Sequence, residues 1–233
     1  MCRALPIQIP GGAHHDRRKP ARSASTIDLE NAVTYQVRAF DLSGVQGLSK
    51  KAIDLHLGLY KTYVEQLNKL LEQSPERAAG TTPLALDGYN RRFAFEYNGV
   101  ALHELFFEQL AGKHRQPQRE RGFVDALHQD YGDFGGWKAS VEALAKTRGV
   151  GWVLTLRERG RERVHNCWID LHHLSMPANC DVVFALDLWE HAFMIDFTPA
   201  QRADYVKIIL DNVDWPVVEQ RCAPVAALEP AHA

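Results

Sequence analysis

The sequence predicts an α+β fold with a long antiparallel helical hairpin first and an α/β domain second, in which helices flank a small antiparallel sheet of about three strands. Two long segments with apolar residues at helical spacing predict the hairpin. Three short segments rich in β-branched and aromatic residues predict the sheet. The 233 residues, 45% of them hydrophobic, are enough to bury a core of this size.

The first predicted helix is "GLSKKAIDLHLGLYKTYVEQLNKLLEQ", for which Ser49 is a suitable N-cap. Its inward stripe consists of Ile53, His56, Tyr60, Tyr63, Leu67 and Leu70. After the connection "SPERAAGTTP", the second helix, "NRRFAFEYNGVALHELFFEQLAG", has a stripe of Gly99, His103, Phe106 or Phe107, and Leu110. Because two long helices with a modest connection usually pair antiparallel, we expect His56 and His103 to meet across one helix interface.

The second half of the chain changes from helical to β periodicity near Gly149 and Gly151. Before this change lie two shorter helical segments, "RGFVDALHQDYG" and "FGGWKASVEALAKTRG". After it, "VGWVLTLRE" and "RVHNCWIDL" predict a hairpin through the turn "RGRE", and "DVVFAL" predicts a third strand. Thr198 and Pro199 are N-cap and first-turn signals for the helix "AQRADYVKIILDNV", and a further short helix is expected from Trp215.

The pattern divides the chain into three regions. Residues 1–33 mix Pro, Gly, Ser and Arg with little apolar periodicity, which predicts a disordered basic tail. An Arg- and Ser-rich start also resembles a transit peptide, but the acidic residues within it make this the lesser alternative. Residues 34–115 are predicted to form the helical-hairpin domain, and residues 116–233 the α/β domain.

Composition and charge exclude several classes of partner. A net charge of -2 gives no field that would attract nucleic acid or an anionic membrane, and no apolar run approaches the length of a membrane span. The four cysteines, Cys2, Cys167, Cys180 and Cys222, form no CxxC pair and no small-scaffold disulfide pattern. We therefore expect no nucleic acid, no membrane and a cytoplasmic location.

The apolar run "VVFALDLWEHAFMIDF" carries Asp187, Glu190 and His191 in its middle. Burying charge without a partner is costly, so these groups must be exposed, mutually paired or bound to a metal. One helical turn or a tight corner would put Asp187 and His191 on the same side, as ligands of a transition metal. Together with His56 and His103, they make a set of three imidazoles and one carboxylate that would satisfy a buried divalent or trivalent ion.

The chain resembles the iron/manganese superoxide dismutases over roughly residues 40–222. The segments that carry the resemblance appear in the family's order and close to its spacing: "LHLGLYKTYVEQLN", "NGVALHELFF", "GVGWVLTL", "LDLWEHAFMIDF" and "RADYVKIILDNVDWPVVEQR". The most specific of them is the D-x-W-E-H-A run, because it matches over consecutive residues and two upstream histidines support it.

This resemblance implies a ligand set and a reaction. His56, His103, Asp187 and His191 would bind one Fe or Mn ion per chain, with a solvent molecule as the fifth ligand. The metal would cycle between trivalent and divalent states while one superoxide is oxidised to dioxygen and the next is reduced to hydrogen peroxide.

The resemblance also implies an assembly. Glu190 would reach across a homodimer interface to the partner's metal-binding histidine, and pairs of dimers could form tetramers. Trp189 and Trp152 would form the aromatic wall of the site, although core packing is the better explanation for either of them taken alone.

The sequence departs from the family pattern at two places beside the ligands. The family's gateway tyrosine follows the first histidine by eight residues, whereas Tyr63 follows His56 by seven. Tyr63 is nevertheless the better gateway candidate, since the segment "TYVEQLN" that contains it matches the family's pattern after that tyrosine. Met194 stands where a tyrosine normally contributes to the interface and the substrate funnel, so proton supply or dimer contact would differ here.

A third departure concerns the group that hydrogen-bonds the coordinated solvent. The family supplies this group as a Gln or His, either from the second helix or from the sheet; Gly99 occupies the helix position, four before His103, so that source is missing. His172 or His173 could supply the group from the sheet side, and the spacing to Asp187 favours His172; the competing interpretation is a surface histidine.

Two other functions remain open at this level. One is an Fe or Mn protein of the same fold with an oxygenase-like activity, which the changes at Tyr63 and Met194 would permit. The other is a protein in which the ion is only structural.

Overall fold

The structure is a computed structural model and describes residues 34–74, 81–117, 123–161 and 163–222. The predicted tail, residues 1–33, lies outside the described residues. Within them, the order of elements is helical hairpin, two short helices, three strands and three further helices. This is the predicted α+β class.

Two long helices, α1 (Lys50–Glu72) and α2 (Pro83–Leu110), form the antiparallel hairpin. Each begins at a side-chain cap, because the hydroxyls of Ser49 and Thr82 accept a main-chain N–H from the first turn. Helix α1 is continuous, so the tyrosines that come after His56 lie on the same buried face as that histidine.

The sheet has three antiparallel strands, as the sequence predicted, and their order is β2-β1-β3. Strand β1 (Gly151–Glu158) is central, with β2 (Val164–Asp170) joined to it by a hairpin and β3 (Cys180–Asp187) on the other side. Pairing of Trp152 with Asp187 fixes the end of β3 beside the start of β1. Strand β3 packs against α2, so the end of β3 faces the helical hairpin.

The remaining helices are α3 (Phe123–Tyr131), α4 (Phe134–Leu144), α5 (Glu190–Phe193), α6 (Arg202–Asn212) and α7 (Trp215–Cys222). A single turn of 3₁₀-helix, Pro199–Gln201, precedes α6, so the signals at Thr198 and Pro199 start that turn rather than the α-helix directly. Aromatic rings join the helices to the sheet: Trp137 of α4 packs edge-on against Phe184 of β3 and Trp215 of α7. Among the described residues, no helix combines the length and apolar character needed to cross a membrane.

Candidate metal centre

Four side chains from four different elements converge between the hairpin and the sheet. His56 comes from α1, His103 from α2, Asp187 from the last position of β3 and His191 from α5. One nitrogen or oxygen of each lies within 4.8 Å of those of the other three. The Nε2 atoms of the histidines are 3.1, 3.5 and 3.3 Å from Asp187 Oδ2.

A tight corner between β3 and α5 brings Asp187 and His191 to the same side. Oδ1 of Asp187 accepts the main-chain N–H of Trp189 at 2.8 Å, which holds the chain as it leaves the strand. Helix α5 then starts at Glu190, and its single turn carries the His191 ring back over the carboxylate. The four-residue spacing was compatible with either a helical turn or a tight corner between these two residues, and the chain adopts the corner.

The orientation of His103 is set by its own helix. Its Nδ1 lies 2.6 Å from the carbonyl oxygen of Gly99, one turn earlier, so Nδ1–H donates and the lone pair of Nε2 faces the cluster. Such a bond is what fixes the tautomer and ring orientation of a metal-binding histidine. A neutral His103 is thus presented with a free electron pair where a ligand atom is needed.

Gly99 has a second role that its place in the sequence did not predict. A Cβ at this position would lie 2.7 Å from Cδ1 of Tyr63, closer than any ordinary contact. Only glycine therefore lets the Tyr63 ring lie against α2. The signal in the sequence was a glycine on the buried stripe of a helix, which costs stability unless packing requires it.

The charges of the cluster favour the binding of a cation. Burial lowers the pKa of His56 and His103 below the ordinary histidine value, so both rings are neutral at pH 7. Burial alone would raise the pKa of Asp187, but His191 and His56 hold it below its ordinary value and the group stays ionised. A buried, ionised carboxylate beside the neutral rings of His56 and His103 is costly unless a cation binds next to it.

The hydrogen-bond pattern of the same side chains points to a bound ion. Within the described part of the chain, the buried Nε2 atoms of His103 and His191 have no hydrogen-bond partner. Two donors that each lie about 2.1 Å from one ion are about 3 to 4 Å apart, which is the separation of these nitrogens from Asp187 Oδ2. The residues present therefore fit a transition-metal ion.

Beside the cluster, three side chains form a buried hydrogen-bonded chain. The indole Nε1–H of Trp152 donates to Nδ1 of His172 at 3.0 Å, and Nε2 of His172 lies 2.8 Å from the hydroxyl of Tyr63. Because an indole N–H can only donate, Nδ1 of His172 is an acceptor and its proton is on Nε2. His172 therefore donates to the Tyr63 oxygen, and the Tyr63 O–H points away from His172.

His172 reaches this place through a backbone turn. Strand β2 ends at Asp170, and Leu171 adopts the left-handed conformation with φ 53°, which is uncommon for a leucine. The Leu171 carbonyl accepts the indole N–H of Trp189 at 3.2 Å, and the Trp189 ring stacks on His172 with centroids 4.7 Å apart. Of the two candidate histidines, His172 is the fully buried one beside the cluster.

Burial also determines the protonation states of His172 and Tyr63 in this hydrogen-bonded chain. Burial lowers the pKa of His172 to about 4, so the ring is neutral at pH 7. Burial, together with the charges of Asp187 and Glu96, raises the pKa of Tyr63 well above its ordinary value, so its hydroxyl keeps its proton. The Tyr63 O–H is thus a hydrogen-bond donor throughout the neutral range.

Aromatic rings enclose the cluster. Trp152 lies edge-on to His103 with centroids 5.1 Å apart, and Trp189 stacks on His191 at 5.6 Å. Phe106 and Phe107 both lie against His56, at 5.4 and 4.8 Å. These low-polarity walls strengthen electrostatic interactions within the site.

Two side chains in and just after α5, Glu190 and Met194, face the outside. Glu190 is exposed, and Met194, at the end of α5, is 46% exposed. Both line a cavity of about 870 Å³ that also includes Arg148 and Arg202. The described residues of one chain thus leave Glu190 at an open surface next to His191.

A buried centre of three histidines and one carboxylate, set between a helical hairpin and a three-stranded sheet, defines the class: a mononuclear transition-metal protein. Family comparisons identify the particular family. The alpha-hairpin domain of iron/manganese superoxide dismutases matches residues 33–111, and their C-terminal domain matches residues 119–221. The chain belongs to the iron/manganese superoxide dismutase family, a family of oxidoreductases, as the sequence motifs predicted.

Individual relatives agree with this assignment. The superoxide dismutase [Mn/Fe] of Aeropyrum pernix is 29% identical over 168 residues, which cover 71% of this chain and 78% of the relative. The superoxide dismutase [Fe] of Pyrobaculum aerophilum is also 29% identical over 168 residues, covering 71% and 79%. The superoxide dismutase [Fe] of Cupriavidus metallidurans is 30% identical over 178 residues, covering 72% and 85%. The names of these relatives specify iron or manganese, and the buried cluster described above is able to bind such an ion.

Proposed function

We propose that this protein is a superoxide dismutase that converts two superoxide ions and two protons to dioxygen and hydrogen peroxide at one Fe or Mn ion per chain. In this proposal, His56, His103, Asp187 and His191 bind the ion. The observation that carries it is the convergence of these four ligand atoms within 4.8 Å, with two imidazole nitrogens lacking any hydrogen-bond partner in the described structure.

When bound, Fe or Mn would supply one-electron oxidation and reduction by alternating between its trivalent and divalent states. The chain supplies the surroundings. The anionic carboxylate of Asp187 favours the higher charge state, and the neutral rings of His56 and His103 leave the total charge of the site positive enough to admit an anion. The aromatic walls limit the entry of water and larger molecules.

In this proposal, Tyr63 and His172 act as hydrogen-bond donors. His172 donates to the Tyr63 oxygen, so the Tyr63 O–H is directed to another acceptor and is available to an anion or a solvent molecule beside it. Its raised pKa keeps the hydroxyl protonated between turnovers. Tyr63 is therefore proposed as the final hydrogen-bond donor for the reduction that consumes protons, with His172 as the group that orients it.

We further propose a homodimer in which Glu190 contacts the partner's His191. The exposure of Glu190, the 24% exposure of the His191 side chain and the adjoining cavity support this contact. Met194 would then lie in the same interface without the hydroxyl that the family usually places there. Tetramer formation and a cytoplasmic location stay predictions from the sequence.

The direct test of the activity is metal analysis combined with a superoxide assay on the purified full chain. We expect Fe or Mn near one per chain and rapid superoxide removal, which chelation abolishes and which added Fe or Mn restores. Zinc is the control ion, because it can occupy the same ligands but cannot change its oxidation state. Protein that holds only zinc, or that is fully loaded with Fe or Mn yet inactive, would refute the proposal; dioxygen consumption with an organic co-substrate would then favour the oxygenase-like alternative.

The dimer contact makes a separate prediction. Glu190→Ala is expected to shift the protein from dimer toward monomer and to lower superoxide removal at low protein concentration, since a contact to the partner's His191 is lost. Sedimentation velocity and activity as functions of concentration measure this. Glu65→Ala, an exposed glutamate on α1, is the matched control. A Glu190→Ala protein that is as dimeric and active as the control would show that this residue has no such role.

A further inference from the structure

Strand β3 lies at the edge of the sheet, so alternate residues direct their main-chain N–H and C=O groups away from β1. Ala185 is one of them, and it is completely buried. Unpaired buried main-chain groups are costly, so its N–H and C=O need partners from outside the sheet.

The side chain of Gln109, on α2, supplies both partners. Its Nε2–H donates to the carbonyl oxygen of Ala185 at 2.5 Å, and its Oε1 accepts the N–H of Ala185 at 3.3 Å. The primary amide thus takes the place of a neighbouring strand. Gln109 is 0% exposed, and its Oε1 also lies 3.4 Å from Nη1 of Arg221, which bonds to the Val183 carbonyl of the same strand.

This bidentate contact lies between two residues of the cluster. Asp187 follows Ala185 by two residues on β3, and His103 precedes Gln109 by six residues on α2. The carboxylate of Asp187 and the ring of His103 are therefore connected through one short hydrogen-bonded path between the two elements. Their facing atoms, Oδ2 and Nε2, are 3.5 Å apart.

We propose that Gln109 is a positioning residue of the metal centre: its side-chain amide fixes β3 against α2 and so sets the separation between Asp187 and His103. The inference rests on the proposed function, in which these two residues bind the same ion. Gln109 does not touch the ion or the substrate. Its action is through the backbone of Ala185, and its loss would allow the end of β3 to move relative to α2.

A second amide in the chain makes the same kind of contact and provides a matched control. Nδ2 of Asn68 donates to the carbonyl of Tyr35, and Oδ1 of Asn68 accepts the Tyr35 N–H, both at 2.8 Å. Asn68 is twelve residues beyond His56 on α1, roughly 18 Å along the helix axis. We expect loss of this contact to weaken packing without moving any residue of the cluster.

The experiment compares the parent, Gln109→Met and Asn68→Leu, each stripped of metal and loaded with Co²⁺, whose visible absorption reports coordination geometry. Gln109→Met keeps the side-chain length and removes both hydrogen bonds. We expect it to shift the Co²⁺ bands and to weaken Co²⁺ binding about 10- to 100-fold, as is typical when support for a ligand is lost. Asn68→Leu is expected to lower the melting temperature of the metal-free protein but to keep the parent's bands and affinity.

A Gln109→Met protein with the parent's spectrum and affinity would overturn the inference, and so would an equal spectral change in Asn68→Leu. If Gln109→Met does not fold, Gln109→Asn replaces it; its amide is one methylene too short, so β3 must move or the bonds break, and an unchanged spectrum again overturns the inference. The Co²⁺ readout does not depend on dismutation. A parent that binds Co²⁺ but lacks superoxide activity with Fe or Mn would therefore refute the proposed function alone.

Discussion

Replacing His103 with alanine is expected to abolish both tight metal binding and superoxide removal. His103 is fully buried, its Nε2 faces Asp187 at 3.5 Å, and its Nδ1–H is already used by the Gly99 carbonyl. Without this ring the ion loses one of four protein ligands, and neighbouring rings are held by their own elements and cannot replace it. We expect metal affinity to fall by more than about 100-fold, beyond the range for residues that only support a ligand, and activity to fall to the background of the assay.

The measurement is metal content after dialysis, followed by superoxide removal at matched protein concentration. His128→Ala, an exposed histidine on α3, is the control for losing an imidazole as such. Circular dichroism of the metal-free forms separates loss of a ligand from loss of the fold. Retention of stoichiometric Fe or Mn by folded His103→Ala protein would mean that His103 is not a ligand.

Replacing His172 is expected to have the second largest effect on activity. The size of this effect depends on which residue replaces the histidine. His172→Leu leaves the Trp152 N–H and the Tyr63 hydroxyl without their shared partner, at a cost of about 1–3 kcal/mol for each buried group. Activity should fall about 10- to 100-fold while the metal is retained. His172→Gln should preserve most activity, because an amide oxygen can accept from Trp152 while the amide N–H donates to Tyr63. Equal activity in the two variants would argue against the proposed orienting role.

The parent protein and His172→Gln together test a pH dependence of folding stability. In the folded protein the pKa of His172 is about 4, below the ordinary value of 6.5, so between these values the unfolded chain takes up a proton that the folded chain does not. The contribution of the neutral His172 to folding stability is therefore fully present above pH 6.5 and is lost as the pH falls toward 4. His172→Gln removes this contribution, on the order of 3 kcal/mol. Chemical denaturation of the parent and His172→Gln across this range should show the shallower pH dependence in the variant; parallel curves would contradict it.

Sequence patterns were sufficient for the helical hairpin and for the candidate ligands, and the reason is physical. A helix buries every third or fourth residue, so a histidine on the apolar stripe, such as His56 or His103, must face the interior. Strand β3 was predicted from a short apolar run that ends in a carboxylate, although the sequence left open whether a helical turn or a corner follows it. Those features are local, and local periodicity determines them.

The features that the sequence did not determine all depend on contacts between distant segments. Gly99 makes room for Tyr63, and Gln109 pairs with Ala185, yet nothing in either local sequence specifies the partner. The spacing to Asp187 favoured His172 over His173, but the left-handed backbone of Leu171 that precedes it, a conformation that leucine rarely adopts, was not predicted. Such pairings become predictable only when the packing of helix on sheet is known.

The four cluster residues come from α1, α2, the end of β3 and α5. The first and the last of them are more than half of the chain apart in sequence. No two adjacent elements carry enough ligands to hold an ion tightly by themselves, and the complete set exists only after the hairpin has docked on the sheet. If these residues bind the ion as proposed, tight metal binding is coupled to docking of the hairpin on the sheet. On the same proposal, exchange of iron for manganese is expected to be faster under conditions that loosen the contact between hairpin and sheet.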